Sequence, residues 1–248
     1  MGMKRAWYLR LDESQTPTAA ILVGDRSRVR LLQDLMSDVR VLNEDRGLLT
    51  VVGNYKGTQI IVVAFGMGAP IAAVVAHELV DLGVRTIVRL GTMIRLGATQ
   101  LGDVIVASEA LSRDGTSGTY RPGRSHFYAD ADLTSRLADA SASLGAAPKV
   151  GRSMSVDGFY TEMMRLRDGD AFPVPALHDA YVRQGCIGLD METAALFAIG
   201  EAFSVAVGCV CMATVDGLTK DKMQDADRVD GESLLARIGL EALVEGTR

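Results

Sequence analysis

Short continuous apolar runs alternate with longer amphipathic stretches along this chain. The runs Ala19–Val23, Leu48–Gly53, Gln59–Phe65, Thr86–Leu90, Asp103–Ser108 and Val205–Val215 are rich in Val and Ile and show little polar alternation. That pattern predicts strands buried on both faces. Amphipathic spacing predicts helices over Ser27–Met36, Pro70–Leu82, Ala131–Leu144, Met191–Phe203 and Gly231–Glu245. Pro70 in a first turn and Gly83 after a last turn fit helix start and stop preferences. Strands alternating with helices predict an α/β fold around a mixed central sheet. Two polar stretches, 112–132 and 163–179, break the rhythm and are expected to be long loops leaving one domain that spans residues 1–248.

Polar residues interrupt the apolar runs at a few abrupt places. Arg28 follows "ILVGDRS", Arg89 lies inside "TIVRLGT", and Asp216 closes "VAVGCVCMATVD". A charge in a buried strand is costly unless it is paired or functional. In open α/β sheets the ligand crevice lies beyond the carboxyl ends of the strands. Together these positions predict a small-molecule site with anion chemistry.

Composition narrows the partners. The chain has 248 residues, is 48% hydrophobic but only 5% aromatic, and carries a net charge of −5, so the core is mostly aliphatic. Without a basic block, nucleic acid is not an expected partner. The longest uncharged apolar run, Ala202–Val215, is shorter than the ~18 residues a membrane span needs. The opening "MGMKRAWYLRLDE" lacks an apolar signal region, and its Met1-Gly2 start lacks the hydroxyl residue at position 6 that myristoylation needs. Cys186, Cys209 and Cys211 lie in apolar context without zinc-like spacing, as core thiols suited to a reducing cytoplasm. His77-Glu78 lacks the second His of a zinc-protease motif.

Several motifs carry chemistry. "VGDRSRV" (23–29) places a Gly turn before a helix, where backbone N–H groups and Arg28 would attract an anion. "FGMGAPI" (65–71) holds Ile71 where a dinucleotide turn needs its third Gly, which leaves a glycine-rich strand-to-helix turn. "VRLGT" (88–92) sets a guanidinium beside a hydroxyl and a backbone N–H, the parts of an oxyanion cradle or of a buried salt bridge. "ATVDG" (213–217) puts a carboxylate just past a buried strand, where burial is expected to raise its pKa towards acid catalysis. In "LDMETAALF" (189–197), Asp190 suits a helix cap, and Glu192 suits either the helix dipole or sugar hydroxyls.

In order, "GDRSRV", "NEDRG", "FGMGAP", "RLGT", "SVDGFY", "DMETAALF" and "ATVDG" resemble the nucleoside phosphorylase family of hexameric purine nucleoside phosphorylases and uridine phosphorylases. The resemblance runs from about residue 8 to the C-terminus. It implies a single-domain, three-layer α/β sandwich with a distorted mixed sheet. It also implies a homo-oligomer, dimer-based and commonly hexameric, with sites shared between subunits. The implied reaction joins a nucleoside and inorganic phosphate, giving free base and (deoxy)ribose 1-phosphate without metal or organic cofactor. By matching positions, Gly24, Arg28, Arg89 and Thr92 would hold phosphate, and Arg46 would reach a neighbour's phosphate. Tyr8, Met67, Asp190, Met191 and Glu192 would surround the ribose, and Phe159, Tyr160 and Arg165 the base. Asp216 would protonate a leaving purine, with Arg228 as its partner.

Some positions depart from the family pattern. Tyr8 stands where a His commonly reaches the ribose 5′-hydroxyl, Phe65 where the turn usually begins with His, and Ile71 where Ser is usual. Ile94 replaces a small residue after Gly91-Thr92. Met163 replaces the Gln of the uridine-selective branch, although Arg165 is retained, which points to a purine. The alternatives are a uridine phosphorylase, a phosphate-independent nucleosidase, or a nucleoside-binding protein without turnover. The three phosphate-type arginines argue against the nucleosidase.

Overall fold

A computed structural model describes residues 3–167 and 169–244 of the chain. Met1 and Gly2, Asp168 in the second predicted excursion, and Glu245 at the end of the last predicted helix lie outside the described residues. The elements run β1 (Ala19–Val23), α1 (Arg26–Leu35), β2 (Ser37–Asn43), β3 (Thr50–Tyr55), β4 (Thr58–Ala64), α2 (Ala69–Asp81), β5 (Thr86–Arg95) and β6 (Val104–Ser112). There follow α3 (Ser117–Tyr120), β7 (His126–Tyr128), α4 (Ala131–Ser143), β8 (Lys149–Ser155), α5 (Val174–Arg183), β9 (Cys186–Asp190), α6 (Thr193–Phe203), β10 (Ala206–Val215) and α7 (Asp225–Val244).

The strands form one mixed sheet in the order β10, β6, β8, β9, β5, β1, β4, β3, β2, with β7 on β6. β10 also pairs with β5, so β5, β10, β6, β8 and β9 close into a ring while the other end stays open. This closure is the distortion of the sheet. β5 is parallel to both β1 and β10, and all three end on the same side.

Alternation along these strands sorts side chains into two aliphatic cores. One packs Leu22, Ile87, Val207 and Cys209 against α2 and α6, including Val75, Leu79 and Phe197. The other packs Ile21, Val88, Val106 and Val210 against α1, α4 and α7, including Leu32, Leu137 and Leu235. Helices on both faces of a sheet make the expected three layers. Buried aliphatic area, worth about 25 cal/mol per Å² removed from water, is the main favourable contribution. A smaller cluster joins Ile94, Leu96, Met154, Met163 and Leu189 to Tyr181 of α5. Among the described residues, no helix is long and apolar enough to cross a membrane.

The structure differs from the pattern-based expectation at weakly apolar elements. β2, "SDVRVLN", is mostly exposed at the open edge of the sheet, so nothing demanded an apolar run there. β8, "KVGRSMS", and β9, "CIGLD", have too few apolar residues to stand out in sequence and are held by pairing with each other and with β6 and β5. The stretch 112–132 is not a bare loop, because it holds α3 and β7, and the stretch 163–179 contains the start of α5. β5 continues past Leu90 to Arg95, where it pairs with β9.

Candidate active site

At the carboxyl ends of β1 and β5 the chain leaves a cavity of about 580 Å³. Gly24, which ends the β1 run, sits opposite Gly66, which follows β4. A Cβ on Gly24 would lie 2.8 Å from the Gly66 carbonyl oxygen, so no larger residue fits while these turns stay in contact. The Gly66 N–H donates to the Gly24 carbonyl at 3.1 Å. This pair of turns forms one wall.

Arg89 is the centre of the site. Its position on β5 shares the face of Ile87, towards α2 and α6, yet its guanidinium is buried among polar partners. One terminal nitrogen donates to a Glu192 carboxylate oxygen, in a short contact, and lies 3.1 Å from Asp190 Oδ2. The other donates to Cys211 Sγ at 2.7 Å. Burial alone would disfavour the Arg89 cation, but Cys211, Asp190 and Glu192 more than offset it, and the side chain stays charged. Its Nε is buried without a protein partner. Gly91 makes the fold-back possible, since a Cβ there would meet Arg89 Nη1 at 2.1 Å.

Both carboxylates are fixed. Asp190 accepts from Ser155 Oγ at 2.6 Å and from the Thr193 backbone N–H and hydroxyl at the start of α6. Glu192 accepts from the Gly68 N–H at 2.6 Å with the oxygen that Arg89 does not take. The first turn of α6 and the turn before α2 are thus tied to one guanidinium.

Arg28, on α1, sits at the other end of the cavity. Its Nη2 donates to Glu232 Oε1 of α7 at 3.2 Å, and its Nε is buried without a partner. The N-terminus of α1 is not free for a ligand, because Asp25 lines the cavity and accepts from Ser27 N–H at 2.8 Å. Cationic side chains, rather than the helix dipole, therefore supply the positive charge. Arg46, at a positive φ of 56°, lines the cavity of its own chain with its guanidinium 5.2 Å from the centre of the Tyr8 ring.

Of the residues expected at a site, Gly24, Arg28, Arg46, Arg89 and Thr92 line the cavity together. So do Met67, Asp190, Met191, Glu192 and Phe159. Phe65, Gly91 and Met163, not among the expected site residues, line it too. Gly91 was legible beside Thr92, and Met163 as a departure from the Gln of the uridine branch; Phe65 was noted only for replacing a His. Tyr8, Tyr160, Arg165, Asp216 and Arg228 do not line it. Tyr8 stands behind Arg46, its N–H donating to Glu78 at 2.8 Å, and Tyr160 is exposed on a π-helical turn over Phe159–Met163.

Two expectations about the base end are corrected. Arg228 is not the partner of Asp216; its Nε donates to Glu232 Oε1 at 3.2 Å, beside Arg28 at the opposite end. The cation on Asp216 is Arg95, at the end of β5, in a short contact with Oδ2. Nor is the Asp216 carboxyl pushed up. Burial pushes that way, but the Leu218 and Thr219 N–H groups, at 2.8 and 3.1 Å, together with Arg95 hold it below the usual carboxylate range. The cysteines are core thiols as expected, but Cys211 is also a partner of Arg89, and burial pushes its thiol well up.

The arrangement has three chemically distinct parts. Arg28, Arg46 and Arg89 offer positive charge for an anion. Glu192 offers acceptor oxygens for hydroxyl groups, while Asp190, its oxygens taken by Ser155, Thr193 and Arg89, backs the guanidinium. Phe65, Phe159 and Met163 offer an apolar wall for a flat ring. Comparison with known proteins places nearly the whole chain in one family. The family model described as "Phosphorylase superfamily" matches residues 18–244. A guanosine phosphorylase of Halorubrum lacusprofundi is 31% identical over 230 residues, covering 92% of this chain and 90% of that protein. A purine nucleoside phosphorylase, DeoD-type, of Yersinia enterocolitica is 29% identical, covering 92% of each. A uridine phosphorylase structure from Vibrio fischeri superposes with a TM-score of 0.85 at 28% identity, covering 99% of each chain.

Proposed function

The chain belongs to the phosphorylase superfamily, and from that premise we propose that it cleaves purine nucleosides with inorganic phosphate, releasing free base and (deoxy)ribose 1-phosphate. The observation that carries this reading is Arg89, a buried cation shared by a cavity and two fixed carboxylates. A phosphate beside Arg28, Arg46 and Arg89 has its charge offset and its oxygen aligned on the sugar C1′. The glycosidic bond breaks with its electrons passing to the base, and the sugar becomes oxocarbenium-like. Phosphate oxygen then bonds to C1′. Glu192 accepts from ribose hydroxyls with Asp190 nearby, and Phe159 and Met163 pack on the base.

A purine leaves more readily when its imidazole ring takes up a proton, and Asp216 lies next to Gly217, which abuts Met163 in the cavity wall. Met163 also removes the side-chain amide expected of a uracil reader. The co-substrate is phosphate, and no metal or organic cofactor enters this reaction. We further propose a cytoplasmic homo-oligomer, dimer-based and up to a hexamer. Trp7 and Met67 are both more than 80% exposed, Arg46 is exposed too, and a second copy would cover such side chains.

The test is release of free base from inosine, guanosine, adenosine and uridine with and without phosphate. Phosphate-dependent purine release is expected. Release without phosphate would make the protein a nucleosidase, and binding without release would make it a sensor.

A further inference from the structure

Arg95 and Asp216 occupy equivalent places on neighbouring strands. β5 and β10 run parallel, with Ile94 opposite Val215, so the next residue of each, Arg95 and Asp216, emerges side by side at the carboxyl edge. Arg95 Nη2 meets Asp216 Oδ2, and Arg95 Nη1 donates to the Thr99 carbonyl at 3.4 Å. Asp216 Oδ1 is taken by the N–H groups of Leu218 and Thr219. Every partner of this carboxylate donates to it. The oxygen that would have to carry a proton for acid catalysis is the one Arg95 holds, and a guanidinium and a carboxyl proton cannot share it.

We propose that Arg95 is the positioning residue of Asp216 and the gate on its use as an acid. It holds the carboxylate aligned until a purine is bound, and Asp216 Oδ2 takes up and delivers a proton only when Arg95 has moved off it. Arg228 takes no part in this, being committed to Glu232. The inference rests on the purine reading given above.

Other charged groups around Asp216 act more weakly. From α5, His178 faces it, and Asp179 acts on His178. His178 Nε2 donates to the Met163 carbonyl at 2.8 Å, and burial keeps its pKa low, so it is neutral near pH 7. From the following loop, the Asp216 N–H donates to the Asp221 carbonyl at 2.8 Å, and Lys222 bridges back to Val215. Of these groups, only Arg95 contacts the carboxylate as a cation.

Two measurements test the gate. The first is the pH profile of kcat/KM for inosine and for 7-methylinosine, whose imidazole ring already carries a positive charge and leaves without a proton. Without the cation, the Asp216 acid form persists to higher pH. Arg95→Gln should therefore move the alkaline limb for inosine upward by about one pH unit, and leave the 7-methylinosine profile in place. Arg95→Lys should restore the wild-type limb, and Arg228→Gln should not shift it. An unmoved limb in Arg95→Gln, or an equal shift in Arg228→Gln, overturns the proposal. The second is the carboxyl ¹³C titration of Asp216 in the ligand-free protein, assigned with Asp216→Asn. Arg95→Gln should titrate at higher pH than wild type; no change overturns the gate. If wild type fails to cleave inosine with phosphate, the purine reading falls, and the titration still decides the role of Arg95.

Discussion

Glu232 of α7 binds Arg28 of α1 across 204 residues of sequence, and the same oxygen accepts from Arg228 one turn away on α7. Both side chains of the Glu232–Arg28 pair are about 90% buried. The C-terminal helix thus sets the charge at the phosphate end, with two cations on one carboxylate. Glu232→Gln keeps the shape and an acceptor oxygen but removes a negative charge beside an anion subsite. A partly screened charge is worth about 0.5–1 kcal/mol, so the KM for phosphate should fall about two- to fivefold with kcat little changed. Melting temperature should fall, because two cations lose their counter-ion. Initial rates over a phosphate series decide it; a KM raised tenfold would show instead that Glu232 acts by holding Arg28 in place.

Removing Arg89 should cost both activity and stability. Arg89→Ala leaves Asp190 and Glu192 buried without their cation, and breaking such a buried pair costs about 3–5 kcal/mol. The more informative variant is Arg89→Lys, which keeps the charge but lacks the fork that reaches Glu192, Asp190 and Cys211 together. It should remain folded and lose about 10²–10³ in kcat/KM for phosphate, the scale of one lost oxyanion contact. Wild-type kinetics in Arg89→Lys would refute the central role given to this guanidinium.

Gly91 makes a related, sharper case. A Cβ at this position would sit 2.1 Å from Arg89 Nη1, and backbone strain is not the issue because its φ is ordinary. Gly91→Ala should expel the guanidinium from its carboxylates and reproduce most of the Arg89→Lys loss. Partial recovery in a Gly91→Ala, Arg89→Lys double variant, whose slimmer ammonium fits the space, is the expected non-additive result. Strict additivity in the kinetics would mean that the two residues act separately.

Acid sensitivity offers a measurement that needs no substrate. The Asp216 carboxyl is held below its unfolded value by backbone N–H groups and Arg95. A group depressed in the folded state contributes stability above its unfolded pKa of about 3.9, and loses it as pH falls through the folded value. Asp216→Asn should therefore melt at a lower temperature than wild type at pH 7. The gap should close as the pH falls below about 4. A gap that widens on acidification would contradict the ion pair.

Much of this site was legible along the sequence because charges in apolar strands are conspicuous. Arg89 stood out inside "TIVRLGT", and Arg28 and Glu192 stood at helix beginnings, so motif order was enough to assemble the cavity. The partner of Asp216 was not legible. Arg95 lies 121 residues away and meets it only because β5 and β10 are adjacent, a pairing that closes the sheet and leaves no mark in either strand. Family spacing pointed to Arg228 instead, which the helical period of α7 turns towards Glu232. Likewise, partial burial alone suggested a raised pKa for Asp216, because the loop that supplies two N–H donors has no apolar pattern to announce it. β8 and β9 were missed for a similar reason, as strands with too few apolar residues to stand out.

The base preference can be moved by one side chain. Met163 is 3% exposed and lines the cavity beside Phe159, ending a π-helical turn. Close by in sequence, Arg165 has a buried Nε without a protein partner. Uracil presents carbonyl and N–H groups along its edge, which an apolar Met cannot satisfy, and a buried unpaired polar group costs about 1–3 kcal/mol. Met163→Gln adds an amide that can both donate and accept. The variant should gain about 10- to 100-fold in the ratio of uridine to inosine kcat/KM, mostly through better uridine turnover. Met163→Leu, which conserves volume without adding a polar group, should leave the ratio unchanged. Melting temperature of Met163→Gln should drop modestly in the free protein, because the new amide is only fully paired when uracil is bound. Steady-state phosphorolysis of both nucleosides by the three proteins measures this. An unchanged ratio in Met163→Gln, or an equal gain in Met163→Leu, would show that the wall at Met163 does not read the base.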